Sequence, residues 1–298
     1  MDIDRRLDRA FSKAPRLPWN EDSRYVLVSD CHRGCGTSND NFLKNQSLFY
    51  AALQYYDKER YTYIELGDGD ELWENRSIRQ IMEIHSDIFS YLSRFYLEGR
   101  LHMIYGNHDM VKRSESFVKE HCTSCFCSDR QDWVPLFPGI RFHEGIILAS
   151  EDGGPDVYLT HGHQADFLNS SLWRLSRFLV RYVWKPLEHT GFLDPTSAAK
   201  NNTKKEALQQ SLLSWAQKNA CLLVTGHTHR PSLDKNGKFP CLNTGSCVHP
   251  GGITAIELRG KAFTLVKWTY CIRQDYTVYV CREVLAGPVT FGAYASLP

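Results

Sequence analysis

The chain has 298 residues, enough for a sizeable core as one large domain or two small ones. With 35 Lys and Arg against 34 Asp and Glu the formal net charge is +1. That excludes the strong positive excess of a nucleic-acid or anionic-membrane binder, so any affinity for anions must be local. The first residues, Met1 to Arg9, are charged and carry no apolar core, unlike a signal peptide. No run approaches the ~18 apolar residues that span a bilayer, so the expected location is cytoplasmic. The ten cysteines then read as reduced thiols rather than a disulfide framework.

Residues 1–20 read as a short amphipathic or irregular lead-in broken by Pro15 and Pro18. A strand over 25–29 ends abruptly in Asp30-Cys31-His32. In an extended chain residues i and i+2 point the same way, so Asp30 and His32 can reach one point beyond the strand. A helix over 40–58 carries Phe42, Phe49, Leu53 and Tyr56 on one face. Strand 61–66 runs into Gly67-Asp68. The next helix opens with a Ser77/Gln80 capping box and stops at Gly99. Strand 101–105 ends in Gly106-Asn107-His108-Asp109. Strand, polar loop, helix, repeated, predicts an α/β layered domain with its chemistry at the carboxyl ends of the strands.

From about 140 the elements shorten, with strands predicted over 140–143, 146–149, 156–160, 221–225, 253–258, 262–267 and 276–281. The last three follow one another without helices and suggest an antiparallel meander. The reading is a two-sheet sandwich flanked by helices, one domain over 1–298, with an insertion over about 165–218. The insertion's first helix, about 166–185, has Leu168, Leu172, Leu175, Leu179, Tyr182 and Val183 on one face. Arg174, Arg177, Arg181 and Lys185 form a basic stripe opposite, with Trp173 and Trp184 beside it. A loop over 186–202 leads to a second helix that begins at Thr203.

Five motifs sit at strand ends: Asp30-x-His32, Gly67-Asp68, Gly106-Asn107-His108-Asp109, Thr160-His161-Gly162-His163 and Gly226-His227-Thr228-His229. They hold six of the twelve histidines. Carboxylate, imidazole and amide donors without thiolate suit Mn, Fe, Zn or Mg. Seven such ligands, Asp30, His32, Asp68, Asn107, His161, His227 and His229, fit two divalent ions ~3.5–4 Å apart.

The ordered set resembles the calcineurin-like metallophosphoesterases over about residues 24–260. The resemblance implies a four-layer α/β/β/α sandwich. It also implies that Asp30, His32 and His229 hold a first ion, and Asn107, His161 and His227 a second, with Asp68 bridging. His108 is then the unligated histidine that stabilises the phosphoryl group or protonates the leaving oxygen, Mn²⁺ the favoured ion, and a metal-bridging hydroxide the nucleophile. The insertion is similar in placement to that of the UDP-2,3-diacylglucosamine pyrophosphatase group. That group typically has Arg in place of His108 and a carboxylate in place of His163, so only the insertion's role as a lid is carried over.

The expected activity is hydrolysis of a phosphate ester or pyrophosphate, favouring a nucleotide- or lipid-linked substrate that Arg174, Arg177 and Arg181 would contact. The alternatives are a phosphomonoesterase for a metabolite or phosphoprotein, and a non-catalytic scaffold of the same fold. Arg33 reads as a phosphate contact or a surface salt bridge, and His163 as a substrate contact or a support behind the ligands. Asp70 and Glu74 read as capping or solvating the following helix. Trp173 and Trp184 offer a surface for homo-oligomer contact. His121, Cys122, Cys125 and Cys127 could serve a structural zinc, but adjacent His and Cys fit one tetrahedral site poorly, which favours free thiols. His85, His102, His143, His189 and His249 read as structural.

Overall fold

The computed structural model describes residues 3–294 except 38, 128–130, 185–201, 235, 237 and 238. Helix α1 (Ile3–Ser12) and strand β1 (Arg16–Trp19) occupy the stretch expected to be a lead-in. They are followed by β2 (Arg24–Val28), α2 (Gln46–Lys58), β3 (Thr62–Leu66), α3 (Ile78–Ile84), α4 (Ser86–Leu97) and β4 (Leu101–Ile104). The helix expected from Ser77 to Gly99 is thus two helices divided at His85. Its start is as expected, with Ser77 Oγ accepting from the Gln80 amide at 3.3 Å.

Next come α5 (Glu115–His121), β5 (Ser124–Cys127), β6 (Asp132–Pro135), β7 (Phe142–His143), β8 (Gly145–Ser150) and β9 (Val157–Thr160). The insertion holds α6 (Phe167–Ser170), α7 (Trp173–Leu179), a π turn (Val180–Trp184) and α8 (Asn202–Lys218). Strands β10 (Leu222–Thr225), β11 (Cys241–Asn243), β12 (Gly252–Arg259), β13 (Ala262–Ile272) and β14 (Val278–Thr290) complete the chain.

One sheet has seven strands in the order β14-β13-β12-β2-β3-β4-β7, the other five in the order β1-β8-β9-β10-β11. Strands β2, β3, β4 and β7 run parallel, and β12, β13 and β14 form the expected antiparallel meander. β2 is apolar from Tyr25 to Val28, as suits a strand whose sheet is covered on both faces. Val26 and Val28 face α2 and α4, whereas Tyr25 and Leu27 enter the core between the sheets with Ile146, Leu159, Val224 and Ile256. On the outer face of the five-stranded sheet, α1 and α8 contribute Leu7, Leu212 and Trp215 to a third apolar layer. Four layers, helix, sheet, sheet and helix, are the α/β/β/α architecture.

β14 runs well past the expected residue 281 and through Gly287-Pro288. It is an edge strand, where a proline removes no ladder hydrogen bond. Cys271 and Cys281 form a disulfide across β13 and β14, contrary to the expectation of free thiols throughout. In register Cys271 faces Tyr279 and Cys281 faces Thr269, so the bond joins diagonal neighbours on one face.

The insertion departs most from its expected form. Asp166 accepts hydrogen bonds from the Leu168 and Asn169 amides and starts a single turn, so the continuous helix over 166–185 becomes α6, α7 and the π turn. The apolar face is largely open, with Leu168, Leu172, Leu175 and Tyr182 exposed alongside Phe167 and Phe178. Lys185, His189 and nearly all of the loop over 186–202 lie outside the described residues, as does the side chain of Trp184.

Candidate metal centre and the residues around it

The five motifs leave the carboxyl ends of β2, β3 and β4 in one sheet and of β9 and β10 in the other. The sheets meet there, so the loops converge. Backbone hydrogen bonds stitch them together: the Asp30 amide donates to Gly67 O at 3.0 Å, His32 to Asp68 O at 2.9 Å, and Gly226 to His161 O at 3.0 Å.

The turns are strained. Asp30, His32, Asp68, His227 and His229 all have positive φ, between 47° and 68°. That region is unfavourable for residues with a Cβ, and such strain concentrates where a site is built. Two glycines allow the loops to close up. A Cβ on Gly226 would strike Ser29 and Asp30, and one on Gly106 would strike Asp68.

Two of the groups of metal-binding geometry among the described residues match the two expected sets. In one, His229 Nε2 lies 3.1 Å from Asp30 Oδ1 and 3.2 Å from His32 Nε2. In the other, His161 Nε2 lies 3.1 Å from Asp68 Oδ2 and 3.2 Å from Asn107 Oδ1, with His227 completing the set. Asp68 is also 3.8 Å from His32 Nε2, so its carboxylate stands between the groups.

The polar atoms fit cations better than one another. Two imidazole nitrogens facing each other at 3.2 Å repel unless a proton or a cation lies between them. Asp30 Oδ1 has only the imidazole nitrogens of His229 and His32 against it, and His227 Nε2 is buried with no hydrogen bond among the described residues. The nearest carboxylate oxygen to His227 Nε2, Asp166 Oδ2, is 3.8 Å away. Unpaired buried groups of this kind are expensive unless a ligand takes them up.

The electrostatics agree. Burial alone would raise the Asp30 carboxyl, but His229 and His161 hold it well below the usual range. Burial would likewise lower His161, yet Asp68 and Asp30 push it up to about 9. His227 and His229 are lowered, by burial first.

His108 stands beside the two groups. Its Nδ1 lies 2.8 Å and 2.7 Å from the two oxygens of Glu71. Glu71 also lies 2.9 Å from His32 Nδ1. Each ring therefore presents Nδ1 to one carboxylate and keeps Nε2 for other partners. Burial opposes charge on His108, but Glu71 and then Asp68 raise its pKa. On its other side the ring stacks on Trp73, with centroids 4.3 Å apart and planes 20° from parallel.

Glu71 and Asp166 carry roles that the sequence reading passed over. The signal was available, since Glu71 lies three residues after Asp68 in the same loop. Asp166 follows His163 at the same spacing.

Arg33 faces away from the ligand groups and is fully buried. Its guanidinium donates to Glu65 at 2.9 Å twice and to Asp70 at 2.7 Å. Asp70 also accepts from Lys112 at 2.6 Å, so it neither caps nor solvates a helix. His163 is 2 % exposed and packs behind His161, with ring centroids 5.5 Å apart.

Of the basic stripe, Arg174 and Arg177 stack on Trp173, 5.5 and 5.0 Å from its ring. Arg181 instead donates to backbone carbonyls of the loop that carries Trp73. Cys122 is buried and Cys125 half-buried; the described residues around them form no group of metal-binding geometry, and the Cys127 side chain lies outside the description. No helix among the described residues is long and apolar enough to cross a membrane.

A cation at the second group must displace the proton that Asp68 and Asp30 hold on His161. Divalent metal uptake between pH 7 and 8 should therefore release protons, from His161, raised to about 9, and from His32, raised despite burial by Asp30 and Glu71, and affinity should climb with pH over that range. Calorimetry in two buffers of different ionisation enthalpy measures the release. Uptake without proton release would remove His161 from the ligand set.

A family model described as the calcineurin-like phosphoesterase superfamily domain matches residues 24–258. A comparison with curated proteins finds no match. Among solved structures the chain is similar to Vps29 of Chaetomium thermophilum, at 12% identity and a TM-score of 0.42, over 89% of this chain and 96% of that one. So distant a likeness carries no argument about function. The matched segment is well over half of the chain and takes in every strand-end motif from Asp30 to His229. The chain belongs to the calcineurin-like phosphoesterase superfamily.

Proposed function

We propose that the chain is a dimetal phosphoesterase that hydrolyses a phosphate ester or pyrophosphate bond, with a nucleotide- or lipid-linked substrate favoured. The observation that carries this reading is the full set of seven donors converging beside His108 and Glu71. A scaffold that had given up chemistry would need neither five strained ligand turns nor a histidine anchored on a carboxylate.

Asp30, His32 and His229 would hold one divalent cation, and Asn107, His161 and His227 the other, with Asp68 shared between them. Such cations supply Lewis acidity toward water and toward the phosphate oxygens. The residues of the chain do the rest. Glu71 orients both His32 and His108 through their Nδ1 atoms. It favours the charged form of His108, whose Nε2 then has a proton to give to the leaving oxygen or a charge to set against the phosphoryl group.

The insertion supports a substrate larger than a simple monoester. Phe167, Leu168, Leu172, Leu175 and Phe178 expose an apolar row over α6 and α7, and Arg174 and Arg177 on α7 provide positive charge beside it. An acyl chain or a nucleoside bearing an anionic group matches that combination.

Paired artificial substrates, a phosphodiester and a phosphomonoester assayed with Mn²⁺ and after chelation, test the reaction class. Cleavage should require the metal, and His108→Ala should lower kcat by about 10²–10⁴-fold with two ions still bound. Full activity in that variant would refute the role of His108. Replacing Arg174 and Arg177 together by Ala should raise KM for a lipid- or nucleotide-linked pyrophosphate while sparing the small ester. Equal effects on both would sink the proposal that α7 contacts the substrate.

A further inference from the structure

The loop after Asp68 is held from two sides. On the inner side the Glu71 carboxylate accepts from the Trp73 and Glu74 amides at 3.2 and 3.3 Å, in addition to His32 and His108. On the outer side one guanidinium, that of Arg181, takes up three carbonyls. Its Nε donates to Trp73 O at 2.7 Å, and one terminal nitrogen donates to Leu72 O at 2.7 Å and Asn75 O at 3.1 Å. A second tie joins the same two elements, from Arg76 to the Tyr182 hydroxyl at 3.0 Å.

Between these two grips lies Trp73, 3 % exposed, its indole stacked on His108. The His108 ring is thus confined by Glu71 at Nδ1 and by an indole plane across its face. The carboxylate fixes one atom but leaves the ring free to pivot about it. The indole removes that freedom, and its own place depends on a loop whose outward carbonyls Arg181 holds.

We infer that Arg181 is a positioning residue for His108, acting through the Trp73 loop, so that the insertion sets the orientation of the histidine as well as lying near the substrate. No contact between Arg181 and substrate is needed. A planar five-donor fork suits this task in a way that a lysine does not, because three carbonyls spread over four residues must be met at once. Without it the carbonyls of residues 72, 73 and 75 lose their partner, the loop relaxes, and Trp73 no longer bears on His108.

The inference rests on the proposed role of His108, so its test separates the two. The first measurement is NMR of the histidine side chains in zinc-loaded protein, with the His108 signal assigned by its loss in His108→Ala. Stacking on Trp73 should shift the His108 carbon-bound ring proton upfield, and Trp73→Leu should abolish the shift. Arg181→Met should move the signal most of the way to its Trp73→Leu position, and Arg181→Lys should move it part of the way. An unchanged signal in Arg181→Met overturns the inference whether or not the protein hydrolyses phosphate esters.

The second measurement is kinetic, on a small phosphodiester. Arg181→Met should lower kcat by about tenfold to a hundredfold, the scale of a misplaced catalytic group, with KM and metal content unchanged. Trp73→Phe, which keeps a stacking ring, should recover most of the activity that Trp73→Leu loses. In a His108→Ala background Arg181→Met should cost nothing further. An equal further loss there would mean that Arg181 acts on the fold or the metals rather than through His108. Thermal melts identify any variant that fails to fold, and Arg181→Lys then carries the comparison.

Discussion

Beneath the ligand groups lies a buried ionic network on which the rest of the site depends. Arg33 binds Glu65 and Asp70, and Lys112 binds Asp70 and Asp109, all with almost no exposure. Asp109 in turn accepts from the Gly106 amide at 2.6 Å. These five side chains belong to β3 and to the segments after β2, β3 and β4, which also carry Asp30, His32, Asp68 and Asn107. Burying such charges has a large desolvation penalty, and removing one partner of a buried pair typically costs 3–5 kcal/mol. The network therefore adds little to net stability compared with an apolar core. Its effect is on register, since none of the three loops can shift without breaking a buried pair.

That rigidity explains how the strained turns persist. Five ligand residues at positive φ would each relax if their loops were free. Their backbones are cross-bonded to one another and their side chains converge; the network fixes the loops after β2 and β3, and the Gly226 amide, bonded to His161 O, ties in the loop after β10. The strain points the donors inward, where polar atoms without hydrogen-bond partners face one another. Glu71 links this layer to the next, because one carboxylate aligns both a proposed metal ligand, His32, and His108.

Much of this could be read in the sequence, and the parts that could not share a physical cause. Apolar strands that end in a metal-type donor, most with a glycine beside it, are local signals, so β2, β3, β4, β9 and β10, their loops and the two-sheet layering were legible. Burial is not local. Arg33 beside His32 looks like a surface or phosphate-binding arginine until Glu65 and Asp70 are brought around it. Helical spacing of leucines likewise gives which residues share a face, not whether anything covers it, and the row over α6 and α7 is exposed. The Cys271–Cys281 bond required the β13–β14 register, which lies beyond the reach of spacing rules. Glu71 is the instructive omission, since in the sequence it stands between Asp70 and Glu74, both of which read as helix-capping residues.

The central claim is that seven donors from five loops hold two cations side by side. Anomalous diffraction from crystals of the Mn²⁺-loaded protein tests it most directly. The account predicts two peaks ~3.5–4 Å apart, one within bonding distance of Asp30, His32 and His229, the other of Asn107, His161 and His227, with Asp68 reaching both. A single peak, or peaks that leave His161 or Asp68 uncoordinated at saturating metal, would contradict it.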